Sequence, residues 1–139
     1  VIDTRVTKYG CNSVGNILQH GVILEKATLT FNGIGHIIKG AKGADAQQES
    51  RVLMLSDQAR SDANPILLID ENDVTAGHAA SIGQVDPEDM YYLMSRGLDQ
   101  ATAERLVVRG FLGSVIVEIP VKEVREEMIQ TIEDKLLKR

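Results

Sequence analysis

Nowhere in the first 69 residues do apolar side chains recur at helical spacing, and that absence removes most of the folds open to a chain of this length. The apolar residues come instead in short bursts: Val14 with Ile17-Leu18, Val22 to Leu24, Ala27/Leu29/Phe31, Ile34/Ile37-Ile38, Val52 to Leu55 and Ile66 to Ile69. Bursts of this kind, bounded by polar residues, read as strands. The breaks at Gly10-Cys11-Asn12, Asn32-Gly33, Lys39 to Gln48 and Asp57 to Asn64 are rich in Gly, Asn, Asp and Gln. A doubly wound α/β domain is excluded, because its parallel strands need helical crossovers. A sandwich, a barrel and a coiled parallel β-solenoid remain. Asn32-Gly33 is the one good two-residue hairpin turn, and the rarity of such turns favours the solenoid, whose corners need not reverse the strand direction. The sequence shows no clean internal period.

After Val85 the pattern turns helical three times. Asp86 suits an N-cap, Pro87 the first helical position, and Glu88 and Asp89 the positive helix start; Gly97 closes this first helix. The second starts at Asp99 and carries Ala103, Leu106, Val107, Phe111 and Val115. Pro120 opens the third, in which Val121, Val124, Met128, Ile132 and Leu136 share one narrow face. Lys122, Glu123, Glu126, Glu127, Glu133 and Asp134 lie opposite, the pattern of a docking helix. Arg125 and Lys135 fall within the apolar stripe, where their long stems are expected to lie along apolar surface, the alternative being contact with another subunit. The expected organisation is β coils over residues 1–85 and a helical partner-docking domain over 86–139.

With 139 residues, of which 43% are hydrophobic and 25% charged, the chain suffices for one ordinary domain or the end of a longer one. A net charge of -5 and the lack of a basic stripe argue against nucleic acid as a partner. No apolar run approaches the roughly 20 residues of a membrane helix, and no signal peptide is evident. The single Cys11 forms no internal disulfide, which fits a cytoplasmic setting. The chain opens VIDTRVTKYG, without methionine and already alternating as a strand does, and so reads as a fragment of a longer protein.

Chemistry concentrates around His78, which sits between Gly77 and Ala79-Ala80 just before the rigid start of a helix. No bulky neighbour in sequence hides its imidazole. Asp70, Glu71 and Asp73 lie close by in sequence, so a metal site is one reading and a structural imidazole the other. A closed site takes about four ligands, and cluster sites rely mostly on thiolates. A metal at His78 therefore needs donors from a second polypeptide.

His36 alternates with Ile34 and Ile38 and is expected buried and hydrogen-bonded; His20, before Gly21 in an expected corner, is expected exposed. No serine stands in a nucleophile elbow. Lys39-Gly40-Ala41-Lys42-Gly43 lacks the Ser or Thr that a phosphate loop requires. Tyr91-Tyr92, with Met90 and Leu93, suits either a partner anchor or core packing.

Several separated blocks carry a family resemblance: Ser56-Asp57, Asn64-Pro65, Asp73-Val74, Ala76 with His78-Ala79, Gly83, Asp86, Tyr92-Leu93, Ser95-Arg96-Gly97 and Gly110-Phe111. In this order and spacing they resemble the C-terminal part of the SufB/SufD family of iron-sulfur cluster assembly scaffolds. The resemblance implies a right-handed parallel β-helix followed by a small helical domain. B-type subunits carry a cysteine soon after the Ser/Thr-Asp pair; Gln58 stands after Asp57 here, so the chain is more similar to the D-type. It implies that His78 lies at the contact with a SufB-type subunit, as a metal-site residue shared across it, and that the helices dock a SufC-type ABC ATPase. It also implies a non-catalytic scaffold that binds no cofactor alone, with iron or a transient cluster held only in the complex.

The competing reading is a β-solenoid enzyme acting on carbohydrate or acyl groups with His20 or His36 as base. It lacks paired carboxylates at suitable spacing and lacks a nucleophile. Self-association through an exposed first coil is a third reading.

Overall fold

The computed structural model describes residues 1–137 as two compact units, Val1–Gly83 and a second that begins at Gln84. The first unit contains β1 (Ile2–Lys8), β2 (Ile17–Ile23), β3 (Thr28–Ile37), β4 (Ala44–Met54), β5 (Arg60–Ile69) and β6 (Val74–Gln84). Odd strands form one three-stranded sheet in the order β1-β3-β5, and even strands another in the order β2-β4-β6. The registers of β1 with β3, β2 with β4 and β3 with β5 are parallel: Ile2 lies beside Phe31 and Phe31 beside Ala63. A parallel neighbour requires a long return path. Here each return passes through a strand of the other sheet, which is why the sequence shows strands without crossover helices.

Side-chain alternation follows from the pleat. On β3, Phe31, Gly33, Gly35 and Ile37 are buried, whereas Asn32, Ile34 and His36 are half-buried. Two apolar clusters form the interior, one of Ile23, Phe31, Val52 and Ala59 and the other of Ile37, Ala41, Ala44 and Ala46. A polar belt separates them. Ser50 Oγ donates to Gln19 Oε1 at 2.9 Å, Gln19 Nε2 donates to Thr4 Oγ1 at 3.0 Å, and Gln48 Nε2 donates to the Ile66 carbonyl at 2.9 Å. Gly35 makes room for this belt, since a Cβ there would lie 2.6 Å from Gln48 Nε2.

Three expectations are corrected. Asn32-Gly33 is no hairpin turn: both residues lie mid-strand in β3, and Asn32 is a rung of a side-chain ladder. Asn64 Nδ2 donates to Asn32 Oδ1 at 2.9 Å, and Asn32 Nδ2 donates to Asp3 Oδ1 at 2.6 Å. Ala44 to Gln48 and Arg60 to Asn64, read as parts of polar breaks, belong to β4 and β5, where Gln48 joins the internal belt and Asn64 the outer side-chain ladder. His20-Gly21 is no corner either. It lies within β2, where a Cβ at Gly21 would meet Leu29 Cδ2 at 2.5 Å.

The corners also stack. Asn12 N–H donates to the Lys42 carbonyl at 2.8 Å and Gly43 N–H to the Asp73 carbonyl at 2.6 Å, with Gly43 at φ +70°. A left-handed backbone at that step is cheap only for glycine.

The second unit contains α1 (Pro87–Ser95), α2 (Gln100–Ile116) and α3 (Lys122–Leu137). Asp86 Oδ1 accepts from Glu88 N–H at 2.8 Å and Asp99 Oδ1 from Thr102 N–H at 2.7 Å, each satisfying an orphan donor of a first turn. Along α2 the buried residues are Ala103, Val108 and Ile116, whereas Leu106 is 50% exposed. In α3 the inward side is rotated from the expected stripe. Ile129 and Ile132 line a small gap with Leu112 and Ile116 of α2, and Val121, Val124 and Met128 are exposed. Two apolar ridges run side by side on this helix, and the one through Ile129 packs into α2.

Candidate functional site

Three histidines lie in the first unit, and the sheets give each a different chemical setting. His20 points outward from β2, where its side chain is only 3% exposed and its Nε2 lies 3.2 Å from Glu49 Oε1. It was expected exposed. The neighbouring strand covers it, because a parallel register sets Glu49 and Arg51 of β4 alongside.

His36 is hydrogen-bonded as expected, but on the outer face of its sheet rather than in the interior. Its Nδ1 faces Arg5 at 3.1 Å and its Nε2 faces Asp70 Oδ2 at 2.8 Å. Neither histidine is presented as a free base.

His78 differs. It lies on β6, at the edge of the β2-β4-β6 sheet, and is exposed. Val74 and Ala76 pack against the inner Ala44/Ala46 cluster, so strand alternation assigns His78 to the same side, beyond the point where that cluster ends. It borders a shallow groove of about 310 Å3 together with Asn16, Leu18, Gln47, Glu49 and Gly77. Gly77 keeps the groove open, since a Cβ there would fall 2.6 Å from Gln47 Oε1.

Two of the three carboxylates near His78 in sequence, Asp70 and Glu71, have other partners. Asp70 takes His36. Glu71 is buried, and its carboxylate accepts backbone N–H groups from Gly40 and Asn72, both at 2.9 Å. Those donors, Gly40 first, hold its pKa below the ordinary carboxylate value despite burial; Lys39 at 3.9 Å adds to the effect. A carboxylate so engaged pins adjacent corners. Among the described residues, no three His, Cys, Asp or Glu side chains converge as a metal site would require. Cys11 is exposed in the corner after β1, where its Sγ donates to the Gly40 carbonyl at 3.4 Å. Among the described residues, the β6 edge thus presents the His78 imidazole, with Glu49 bordering the same groove.

The sequence did not disclose the Arg5–His36–Asp70 row or the corner role of Glu71. Their signal is a repeat of about thirty residues that never becomes exact: the ladder steps from Asp3 to Asn32 by 29 residues and from Asn32 to Asn64 by 32. Corners of unequal length blur it. On α1, Tyr91 and Tyr92 are 76% and 56% exposed, which excludes them from the unit's core. The Arg96 guanidinium lies 5.1 Å from the Tyr92 ring centre. Among the described residues, no helix is long and apolar enough to cross a membrane.

Comparison with known proteins fits this architecture. The family described as "SUF system FeS cluster assembly, SufBD core domain" matches residues 1–111, which include all six strands and α1. The chain is 57% identical over 133 residues to the iron-sulfur cluster assembly protein SufD of Bacillus subtilis strain 168, covering 96% of this chain and 30% of that protein. It is 46% identical over 97 residues to an iron-sulfur cluster assembly SufBD family protein of Mycobacterium tuberculosis, covering 69% of this chain and 24% of that relative. The chain therefore spans less than a third of the length of these relatives. With the family match extending over most of its residues and an identity this high, the chain belongs to the SufBD family of iron-sulfur cluster assembly proteins.

Proposed function

We propose that this chain is part of a D-type scaffold subunit for iron-sulfur cluster assembly in the cytoplasm, a protein that positions cargo and does not itself catalyse a reaction. The observation that carries the reading is His78, an exposed imidazole on an edge strand where, among the described residues, no group of three or more His, Cys, Asp or Glu side chains converges. Iron or a nascent cluster is cargo here, held only when a second polypeptide completes the donor set.

The alternation of parallel strands between two sheets supports assigning residues 1–85 to the coils of a right-handed parallel β-helix. A SufB-type subunit pairs along the β6 edge, whose backbone groups are available for strand addition. The helical part, residues 86–139, docks a SufC-type ATPase; the exposed Tyr91 and Tyr92 and the outward Val121, Val124 and Met128 supply apolar surface for it. ATP-driven motion then reaches the His78 region through the helix that Asp86 starts.

The test is His78→Ala in the intact protein, co-expressed with its partner subunits. Assembly of the complex is retained and cluster yield falls. Full iron coordination by the chain alone, or an unchanged cluster yield in the variant, would overturn the reading.

A further inference from the structure

His36 belongs to no part of the proposed cargo site, yet both of its ring nitrogens are committed. Arg5 Nη2 lies 3.1 Å from Nδ1, and a guanidinium has donors and no acceptor. The contact therefore requires a lone pair on Nδ1. The ring proton must then sit on Nε2, where Asp70 Oδ2 accepts it at 2.8 Å. Arg5 comes from β1, His36 from β3 and Asp70 from the end of β5, so this one imidazole joins three neighbouring strands on the outer face of their sheet.

We propose that Arg5, His36 and Asp70 form a proton-sensitive clasp across β1, β3 and β5. Neutral His36, protonated at Nε2, links Arg5 to Asp70. A proton taken from solvent at Nδ1 converts that acceptor into a donor, so the Arg5 bond breaks while the Asp70 bond becomes a charged pair. Histidine is the side chain type whose ordinary charge change lies between about pH 5 and 8.

The charged groups facing His36 are Arg5 from β1 and Asp70 from the β5 side. Asp3 of β1 is engaged by Asn32, and Lys39, beyond the end of β3, faces Glu71. Arg5 also donates to Thr7 on its own strand, and release from His36 leaves β1 tied by its backbone ladder, the Asp3–Asn32 bond and the Gln19–Thr4 bond.

The test uses the intact protein labelled with nitrogen-15 in histidine. At pH 7.5 the His36 signals show an unprotonated Nδ1 and a protonated Nε2. Between pH 7.5 and 5.5, hydrogen-exchange protection of residues 2–8, corrected for intrinsic exchange, falls roughly two- to tenfold, the range set by one hydrogen bond. In His36→Gln, which takes up no proton, that change disappears. An Nδ1-protonated ring at pH 7.5, or an equal change in His36→Gln, would overturn the clasp. The ring assignment is read on the unsubstituted protein and stands whether or not the variant folds.

Discussion

Glu71 Oε2 accepts the backbone N–H of Gly40 at 2.9 Å, so a single carboxylate ties the corner after β5 to the corner after β3. The bond is stronger while the carboxyl is ionised than after it is protonated. The donors from Gly40 and Asn72 lower its folded pKa below the ordinary 4.5. A depressed folded value means that its stabilisation is full well above pH 4.5, declines as the pH falls past it, and is gone below the lowered folded value. Acid unfolding followed by circular dichroism will show this component in the unsubstituted protein and lack it in Glu71→Gln, which is also less stable at pH 7.

Gly21 tests close packing between the two sheets. A Cβ there would meet Leu29 Cδ2 at 2.5 Å and the Phe31 ring at 3.2 Å. Gly21→Ala is expected to lower stability by about 1–3 kcal/mol, the usual cost of overpacking, in urea unfolding with an unchanged m-value.

His78→Ala is expected to change unfolding free energy by less than about 0.5 kcal/mol, as for an exposed residue outside any packed cluster. A larger loss would mean that the imidazole supports the fold, which runs against a cargo role.

The helix start at Asp86 rests on its side-chain bond to Glu88 N–H. Asp86→Ala removes it and costs about 0.5–2 kcal/mol of local stability, seen as faster hydrogen exchange in the first turn of α1.

Ile129 and Val124 separate the two faces of α3. Ile129→Ala opens the packing against Leu112 and Ile116 and lowers stability by roughly 1–2 kcal/mol, less than at a fully buried site. Val124→Ala, at a side chain 43% exposed, leaves stability within about 0.5 kcal/mol. Calorimetry on the two variants distinguishes them.

The parts of the fold that were legible in the sequence rest on local chemistry. Asp86 and Asp99 announce their helices because a cap needs only a side-chain oxygen and a nearby N–H. The burst of apolar residues at Val52 to Leu55 marks β4 in the same way. What stayed hidden depends on residues about thirty apart. Asn32 looks like a turn residue until Asp3 and Asn64 are placed beside it, and His20 looks exposed until β4 brings Glu49 and Arg51 next to it. At the candidate site, His78 stood out through its small neighbours, whereas only the structure reveals that Glu71 and Asp70 are spoken for.

The rungs from Asp3 through Asn32 to Asn64 have a polarity. Asp3 as a carboxylate can only accept, which turns the Asn32 amide one way and the Asn64 amide the same way. Asn64 consequently presents oxygen, not nitrogen, along the β5 edge. Whatever polypeptide lies next to that edge must bring an N–H or O–H to this position; an aspartate there would meet like charge density. A carboxylate at one end of the sheet thus dictates which chemical neighbours its far end can tolerate.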